Sequence, residues 1–303
     1  MSALKTVICG IEFKNPVIAA SGVYNFGEEF KQFYDISKLG GICLKGLTLE
    51  KREGNFSPRI AETYGGIINS VGLQNPGLDC FLNDYENKLK DIDSVIIANI
   101  AGNTVEDYCV IAERLNASKN IDMLELNISC PNVKKGGVAF GVEPKEVERI
   151  TSAVKKRTDK PLIVKLTPNV SYIADNAKAA ENGGADCISL INTVKAMAID
   201  YKSRRPILAN VIGGLSGRAI KPIALRMVFE CYNVVRIPII GMGGIFDFAD
   251  AVEFMLAGAS AVQVGTANLV NPMASIEIIE GLRNYCVENN IDNIKEIVGG
   301  LII

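Results

Sequence analysis

The stretch LELNISCPNV, residues 124–133, contains the pattern from which the fold can be predicted. An apolar run, residues 123–129, leads to Cys130 and then to Pro131, which has no backbone N–H and cannot continue a strand ladder. Nearly continuous hydrophobic residues, rather than alternating ones, are typical of parallel strands that helices cover on both faces. The run therefore predicts a buried parallel strand that ends in polar residues.

Seven more apolar runs follow the same pattern, and helical stretches lie between most of the eight. The predicted strands are residues 16–21, 41–49, 94–101, 123–129, 161–167, 186–192, 238–243 and 261–266. The predicted helices are residues 104–117, 144–157, 171–182, 221–232, 246–257 and 272–289. Eight strands alternating with helices predict an α/β fold of the (β/α)8 TIM-barrel type, with the active site at the C-terminal ends of the strands.

The alternative fold is a doubly wound open sheet. That fold usually shows a G-x-G-x-x-G turn after its first strand, and the sequence Ala20-Ser21-Gly22 does not match this turn. No linker, repeat or low-complexity stretch interrupts the chain. We therefore expect a single barrel domain over residues 1–303.

Composition restricts the classes of function. The chain has 32 basic and 34 acidic residues, and its net charge of -2 gives no overall attraction for nucleic acid. The N-terminal residues lack the apolar core of a signal peptide, and no apolar run approaches the ~20 residues of a membrane span. We therefore expect a soluble cytoplasmic protein that binds neither nucleic acid nor membrane.

The chain has eight cysteines and no histidine. It contains no C-x-x-C motif, so we expect neither a metal site nor a cysteine-ligated iron–sulfur cluster on this chain. Four cysteines lie in apolar patterns and are expected to be buried, namely Cys43, Cys109, Cys187 and Cys231. Without histidine, a catalytic base has to be Cys, Lys, Asp, Glu or Tyr, or the proton goes to water.

Polar residues and glycines recur where the predicted strands end, which is where barrels place their chemistry. They are Ser21, Lys45, Asn69, Asn99, Asn127, Cys130, Lys165, Asn192, Gly243, Gly244, Gly265 and Thr266. The sequences GMGGI (241–245) and QVGTA (263–267) end the seventh and eighth strands, and the loops there are a common phosphate site in barrels. Glycines let backbone N–H groups approach phosphate oxygens.

Lys45 and Lys165 end otherwise apolar strands, where a lysine needs an anion or a chemical role. A flavin and an anionic substrate explain both lysines, because one cation stabilises the reduced ring and another binds a carboxylate. Asparagines converging on one site would suit a flat ligand rich in N–H and C=O groups, such as a pyrimidine. A thiol near a lysine ionises more readily, which suits Cys130 as the base.

The chain resembles the class 1 dihydroorotate dehydrogenases, which are FMN enzymes of pyrimidine synthesis. The resemblance covers about residues 4–301 and is carried by NPVIAASG, KGLTLEKREGN, PRIAET, NSVGLQNPG, NISCPNV, VKLTPN, GGLSG, GMGGI and VGTA. NSVGLQNPG and SCPNVKKGG are more similar to the NAD-linked subclass 1B than to the fumarate-linked subclass 1A. Class 2 enzymes use serine as the base and carry an N-terminal membrane segment, and this sequence matches neither feature.

The resemblance implies oxidation of (S)-dihydroorotate to orotate in de novo UMP biosynthesis. Cys130 would remove the C5 proton while a hydride passes from C6 to N5 of FMN. The residues implied to hold the substrate are Lys45, Asn69, Ser70, Val71, Gly72, Leu73, Asn127, Asn132, Asn192 and Thr193. The residues implied to hold FMN are Ser21, Lys45, Gly46, Asn99, Asn127, Lys165, Ile191, Gly217, Gly243, Gly244, Gly265 and Thr266.

The resemblance to subclass 1B also implies a partner subunit that carries FAD and a [2Fe–2S] cluster and passes electrons to NAD. A homodimer of this chain with two such subunits would form a heterotetramer. The sequence has no dinucleotide fingerprint, which agrees with this expectation, so the chain should not use NAD alone.

Four other functions stay open. A fumarate-linked class 1A dihydroorotate dehydrogenase is one of them. A tRNA dihydrouridine synthase is also an FMN barrel with a cysteine acid, but its basic surface and RNA-binding extension find no match in the charge balance and length of this chain. A cofactor-free phosphosugar isomerase or lyase explains the glycine loops but neither NISCPN nor the two lysines. A non-catalytic flavin scaffold would be yellow but would not be bleached by dihydroorotate.

Overall fold

The computed structural model describes residues 3–129, 131–132 and 138–303, with the backbone alone described at residues 131, 132, 138 and 139. The strands are β1 (Thr6–Ile8), β2 (Ile11–Phe13), β3 (Val17–Ala19), β4 (Gly41–Cys43), β5 (Ile60–Thr63), β6 (Gly66–Asn69), β7 (Val95–Ile100), β8 (Met123–Asn127), β9 (Pro131–Asn132), β10 (Val138–Ala139), β11 (Leu162–Lys165), β12 (Cys187–Leu190), β13 (Val194–Met197), β14 (Ile199–Asp200), β15 (Arg205–Pro206), β16 (Ile212–Ser216), β17 (Ile239–Met242) and β18 (Ala261–Val264). The α-helices are α1 (Leu78–Cys80), α2 (Val105–Asn116), α3 (Pro144–Lys155), α4 (Ile173–Asn182), α5 (Lys221–Tyr232), α6 (Phe248–Leu256), α7 (Thr266–Val270) and α8 (Ala274–Glu288).

Eight of these strands form a closed barrel in which every neighbouring pair is parallel. They follow chain order around the ring, namely β3, β4, β7, β8, β11, β12, β17 and β18, and β18 pairs with β3 to close it. Each predicted strand contains one barrel strand, so the predicted (β/α)8 TIM barrel is confirmed. The doubly wound alternative is wrong, because its sheet would be open.

The predicted helices contain α2 to α6 and α8, and their first turns explain where they begin. The side chain of Thr104 accepts a hydrogen bond from the backbone N–H of Asp107, whose carboxylate accepts in return from the Thr104 N–H, so a capping box starts α2. α3 begins at Pro144, a position where the missing N–H has no helical partner to lose. The buried faces of these helices cover the barrel on its outside.

The hairpin β1–β2 covers the N-terminal end of the barrel. Its residues Ile8 and Phe13 are fully buried and pack with an apolar layer inside the barrel. That layer includes Ile97, Met123 and Ile163, each contributed by a different strand. Alternate residues of a barrel strand point inward, so the next inward position of each strand lies two residues closer to the C-terminal end.

A four-stranded antiparallel sheet, in the order β13–β16–β6–β5, was not predicted from the sequence. Two connections build it, since β5 and β6 follow β4 while β13 and β16 follow β12. The strands are short and only partly buried, as IAET in β5 and GIIN in β6 show. Their sequences therefore lack the long apolar runs that predicted the barrel strands. The connections that follow barrel strands lie at the C-terminal end of the barrel, so this sheet stands beside the expected site.

The four cysteines predicted to be buried are buried, namely Cys43, Cys109, Cys187 and Cys231. Within the described residues, no group of three or more Cys, Asp or Glu side chains is placed to hold a metal ion. Over the same part of the chain, no helix combines the length and the apolar character that crossing a membrane requires.

Candidate active site

A layer of polar side chains crosses the barrel interior, one step nearer the C-terminal end than the apolar layer. We call it the polar layer. It consists of Asn99 on β7, Glu125 on β8, Lys165 on β11, Ser189 on β12 and Gln263 on β18. All five residues are buried, and Lys165 is only 7% exposed. Polar groups buried this deeply have to be hydrogen-bonded to one another or to a ligand.

Glu125 is the centre of the polar layer, and its Oε1 atom has three partners. Asn99 Nδ2 donates to Oε1 at 2.7 Å and the Cys43 thiol donates at 3.2 Å. Lys165 Nζ lies 3.3 Å from the same oxygen, which makes a buried ion pair. One carboxylate oxygen therefore ties together side chains from four neighbouring barrel strands.

The other oxygen, Oε2, accepts hydrogen bonds from Gln263 Nε2 at 2.7 Å and Ser189 Oγ at 2.8 Å. Burial alone would raise the pKa of Glu125, but the Lys165 charge and the hydrogen bonds outweigh it and hold this pKa below its usual value. Glu125 is therefore ionised at neutral pH and can only accept hydrogen bonds.

Two buried oxygens of the polar layer have no hydrogen-bond partner among the described residues, namely Oδ1 of Asn99 and Oε1 of Gln263. Because an ionised carboxylate only accepts, each amide turns its NH₂ group to Glu125 and its oxygen away. A buried acceptor left without a donor costs about 1–3 kcal/mol. A Cβ atom at Gly46 would lie 2.8 Å from Asn99 Oδ1, so the Gly46 backbone borders this oxygen.

Lys45 lies two residues beyond β4 and approaches the same end of the barrel. Its backbone N–H donates to the Asn25 carbonyl at 2.8 Å, but its ammonium has no hydrogen-bond or ion-pair partner among the described residues. Burial, followed by repulsion from Arg59, lowers the pKa of Lys45. Ser21 lies nearby, since its hydroxyl donates to the Leu44 carbonyl at 2.7 Å. This part of the site therefore favours an anion.

Side-chain amides and hydroxyls meet at the ends of β8 and β12. Asn192 Nδ2 donates to Ser129 Oγ at 3.0 Å and to Asn127 Oδ1 at 3.3 Å. The Asn192 Oδ1 atom accepts from the backbone N–H of Thr193 at 2.8 Å. The Tyr108 hydroxyl donates to the Asn127 carbonyl at 2.8 Å and so ties α2 to this strand end. Three predicted site residues, Asn127, Asn192 and Thr193, therefore form one cluster. A fourth, Lys165, lies beside this cluster, because it pairs with Asn127 in the strand register.

The predicted substrate segment 69–73 lies on the antiparallel sheet and the turn that follows it. The expectation that Asn69 ends a barrel strand is wrong, because Asn69 ends β6 and its Nδ2 donates to the Gly214 carbonyl at 3.3 Å. A Cβ atom at Gly214 would lie 2.0 Å from Thr193 Oγ1, so the sheet brings Asn69 near the end of β12. The sequence could not show this, because the pairing joins residues far apart in the chain.

The remainder of segment 69–73 forms a compact turn held by Asn55. The Asn55 N–H donates to the Val71 carbonyl at 3.0 Å, and its Nδ2 donates to Ser70 Oγ at 3.0 Å. Gly72 has a φ of +77° and Leu73 a φ of +53°. A side chain at Gly72 would collide with Asn55 at 2.7 Å, so this position requires glycine.

The glycines predicted to bind FMN, including those predicted to bind its phosphate, lie together. Gly243 and Gly244 follow β17 with φ values of +123° and +83°, and Gly217 follows β16 with a φ of +110°. A Cβ atom at Gly243 would lie 3.3 Å from Ile191 Cγ1, and one at Gly265 would lie 3.6 Å from the Ala20 Cβ. Thr266 Oγ1 lies 2.9 Å from Ser216 Oγ, which joins the end of β18 to the segment containing Gly217.

The side chains of two predicted site residues lie outside the described part of the chain. Cys130, the predicted base, lies outside the described residues. Asn132 is described only by its backbone, which pairs with Val138 in the hairpin β9–β10.

Sequence analysis missed Glu125, Ser189, Gln263 and Cys43 as members of the site. The signal that could have identified Glu125 and Gln263 is a charged or amide side chain within an apolar strand, two residues before a residue at the strand end. Glu125 precedes Asn127 by two residues, and Gln263 precedes Gly265 by two residues, so each pair faces the same side of its strand.

A parallel barrel with two lysines, unsatisfied acceptors and glycine turns at its C-terminal end belongs to the class of barrel enzymes that bind an anionic, hydrogen-bonding ligand there. Comparison with known proteins gives the family. Residues 3–285 match the family model for dihydroorotate dehydrogenase, and the chain belongs to this family. The resemblance inferred from the sequence motifs is therefore confirmed.

Relatives with one printed name match almost the whole chain. The protein named dihydroorotate dehydrogenase B (NAD(+)), catalytic subunit, from Alkaliphilus oremlandii is 58% identical over 294 residues, which is 97% of each chain. Proteins of the same name from Alkaliphilus metalliredigens and Bacteroides fragilis are 57% and 52% identical over 98% and 99% of both chains.

Proposed function

We propose that this chain is the FMN-dependent catalytic subunit of an NAD-linked dihydroorotate dehydrogenase and oxidises (S)-dihydroorotate to orotate in de novo pyrimidine biosynthesis. Relatives 52–58% identical over nearly the full length carry the corresponding name. The structural observation that carries the proposal is a set of polar groups, half-buried at Lys45 and fully buried at the two amides, that have no partner among the described residues. They are the Lys45 ammonium and the carbonyl oxygens of Asn99 and Gln263.

These groups fit FMN, whose ring offers N–H and C=O groups and whose phosphate is an anion. The residues that we propose to hold it are Ser21, Lys45, Gly46, Asn99, Asn127, Lys165, Ile191, Gly217, Gly243, Gly244, Gly265 and Thr266. Bound FMN would supply the acceptor for the hydride that leaves C6 of the substrate. Lys165 would supply positive charge beside the ring, and the turns at Gly217, Gly243 and Gly244 would turn backbone N–H groups to the phosphate.

For the substrate, we propose the amide cluster and the turn of segment 69–73. The residues are Lys45, Asn69, Ser70, Val71, Gly72, Leu73, Asn127, Asn132, Asn192 and Thr193. Dihydroorotate has a carboxylate, which Lys45 would neutralise, and ring N–H and C=O groups, which asparagine amides can match as acceptors and donors.

Cys130 would take the proton from C5 of the substrate. When C5 loses a proton and C6 loses a hydride, the two electrons of the C5–H bond form the new C5=C6 double bond. The chain has no histidine that could act as the base, and Cys130 follows directly after the amide cluster in the sequence.

The name of the relatives, catalytic subunit, supports a separate partner. We propose that the partner carries FAD and a [2Fe–2S] cluster and that two partners join a homodimer of this chain in a heterotetramer. Exposed apolar side chains on the antiparallel strands and their turns support burial against another chain, among them Tyr64, Ile199, Tyr201 and Ile212.

We also propose a single barrel domain over residues 1–303 and a cytoplasmic location. The closed barrel takes strands from residue 17 to residue 264, which supports one domain. The seven cysteines among the described residues are free thiols, as is usual in a reducing compartment.

The test is anaerobic reduction of the purified, flavin-loaded chain with dihydroorotate, followed by addition of NAD. The visible flavin absorbance should bleach with dihydroorotate and should not return with NAD, because NAD would need the partner subunit. Recovery by fumarate instead of NAD plus partner would favour the class 1A alternative. A flavin-loaded chain that dihydroorotate does not bleach would contradict the substrate assignment.

The role of Cys130 is tested in the same experiment. Cys130→Ala should keep FMN but reduce it roughly 10²- to 10⁴-fold more slowly, since the proton acceptor is gone. Cys80→Ala is the matched control, because Cys80 lies on α1 and its thiol donates a hydrogen bond to Asp84 Oδ2 at 3.2 Å. A normal rate for Cys130→Ala would exclude Cys130 as the base.

A further inference from the structure

Glu125 has no spare hydrogen-bonding capacity. Its two oxygens receive donors from five side chains, and an ionised carboxylate offers about four lone-pair sites. The residue is fully buried. Its carboxylate is therefore saturated and can neither accept a proton from a substrate nor bind a ligand, so its role has to lie in its effect on its neighbours.

We propose that Glu125 is a positioning residue that holds the NH₂ groups of Asn99 and Gln263 and thereby presents their carbonyl oxygens to a bound flavin. This inference rests on the proposed function and adds Gln263 to the residues that contact the ring. Glu125 also holds the Lys165 ammonium at 3.3 Å, so one carboxylate fixes both amide acceptors and the cation.

The inference depends on which end of the Asn99 and Gln263 amides faces the flavin site. A primary amide has donors at one end and an acceptor at the other, and half a turn exchanges them. Nothing else among the described residues bonds to the oxygens of these two amides, so only the bonds to Glu125 decide which end faces away. The pyrimidine edge of a flavin carries an N–H group between two carbonyls, and this group needs an acceptor opposite it.

Glutamine at position 125 would disturb this arrangement although it has nearly the same shape. Its carbonyl could still accept from Asn99 and Lys165, but its NH₂ group would then face Ser189 and Gln263. The Ser189 hydroxyl can rotate to accept. Gln263 would have to turn its oxygen to the new donor, and its NH₂ group would replace an acceptor with a donor at the flavin site.

The experiment is a fluorescence titration of the flavin-free full chain with FMN, together with thermal unfolding of the same samples. Glu125→Gln is expected to bind FMN at least about tenfold more weakly. Gln263→Met keeps the side-chain volume but removes the amide. It should weaken FMN binding by a similar factor. The stability of the flavin-free chain should change little, because the loss of the Gln263 hydrogen bond to Glu125 is offset by the removal of an unsatisfied acceptor.

The matched control is Asp186→Asn, which also changes a carboxylate to an amide. Asp186 accepts a hydrogen bond from Lys155 Nζ at 2.6 Å and precedes β12, at the opposite end of the barrel. This variant should bind FMN within about twofold of the wild-type chain.

The outcomes separate the possibilities. FMN affinities of Glu125→Gln and Gln263→Met within about twofold of wild type would overturn the inference, as would an equal loss in Asp186→Asn. If Glu125→Gln does not fold, Gln263→Met decides, because lower stability with unchanged FMN binding would give Gln263 a purely structural role. A wild-type chain that binds no FMN would instead refute the proposed function.

Discussion

Lys45 and Lys165 approach the same end of the barrel but differ in their partners. Lys165 Nζ lies 3.3 Å from Glu125 Oε1, whereas the Lys45 ammonium has no hydrogen-bond or ion-pair partner among the described residues. Burial and then repulsion from Arg59 lower the pKa of Lys45. The site therefore contains one compensated cation and one cation that a bound anion can compensate.

Lys45→Met should separate stability from binding. Without ligand, removing a half-buried and uncompensated ammonium should raise the free energy of unfolding by about 1 kcal/mol. Binding of orotate should weaken at least about tenfold, since a charge-assisted hydrogen bond is lost. Urea unfolding and an orotate titration check both effects, and unchanged orotate affinity would contradict the proposed role.

The same variant has a pH signature. A folded-state pKa below the ordinary value means that the folded chain binds fewer protons than the unfolded chain between the two pKa values. The stability of the wild-type chain should therefore rise relative to Lys45→Met as the pH increases toward the ordinary lysine value of about 10.4. A stability difference that stays constant over this range would show that Lys45 does not titrate as inferred.

Lys165→Met should make the flavin harder to reduce, because the reduced ring loses a nearby positive charge. The midpoint potential of bound FMN should fall. The free energy of unfolding should also fall, by about 3–5 kcal/mol, because Glu125 loses its buried cation.

Lys160→Met is the matched control for Lys165→Met. Lys160 precedes β11 at its other end, and its ammonium donates to the carbonyls of Ser118 at 2.8 Å and Ile121 at 2.6 Å. Its loss should lower stability without changing the potential of the flavin. Equal potentials in wild type and Lys165→Met would refute the role of Lys165.

Cys130→Ser should reduce flavin slowly near neutral pH and recover as the pH rises, because a hydroxyl loses its proton only at a higher pH than a thiol does. The expected loss near neutral pH is roughly 10²- to 10⁴-fold. Rapid mixing of the variant with dihydroorotate over a range of pH values measures this profile. A rate independent of pH would show that deprotonation of residue 130 does not limit the reaction.

Acid should remove the contribution of Glu125 to stability. Because its folded-state pKa lies below the unfolded value, its contribution is complete above the unfolded value and is lost as the pH falls through the folded one. The stability difference between wild type and Glu125→Gln should therefore shrink below about pH 4.3. Near-UV circular dichroism during acid unfolding measures it, and a difference that grows in acid would reverse the inferred sign.

Gly217→Ala tests the backbone near the proposed phosphate site. Gly217 has a φ of +110°, and an added Cβ would lie 2.5 Å from the Cα of Gly66. Gly10 provides the control, since its φ is +80° but a Cβ there would meet nothing within 4 Å. Gly10→Ala should lose about 1–2 kcal/mol of unfolding free energy, and Gly217→Ala should lose more. Equal losses would show that the strand of Gly66 yields easily.

The barrel could be predicted from the sequence because burial on both faces produces continuous apolar runs, such as LIVK in β11. The antiparallel sheet could not. Its strand β6 pairs with β16, which lies far along the chain, and Asn69 reaches Gly214 only through this pairing. Short strands held together by distant partners leave little local signal.

The site residues at the strand ends could be predicted better than those of the polar layer inside the barrel. Lys45 and Lys165 were found because a lysine at the end of an apolar strand is unusual. Glu125 and Gln263 were missed because the run around each of them is otherwise apolar, and only their inward direction, which the closed barrel defines, makes them neighbours.

The hairpin β1–β2, with Ile8 and Phe13 packed into the barrel floor, bears on how molecules pass through this protein. Because the hairpin closes the N-terminal end of the barrel, small molecules have to enter and leave the site through its mouth at the C-terminal end. If dihydroorotate and orotate share that mouth, the product has to depart before the next substrate arrives, and the two compete for the same space.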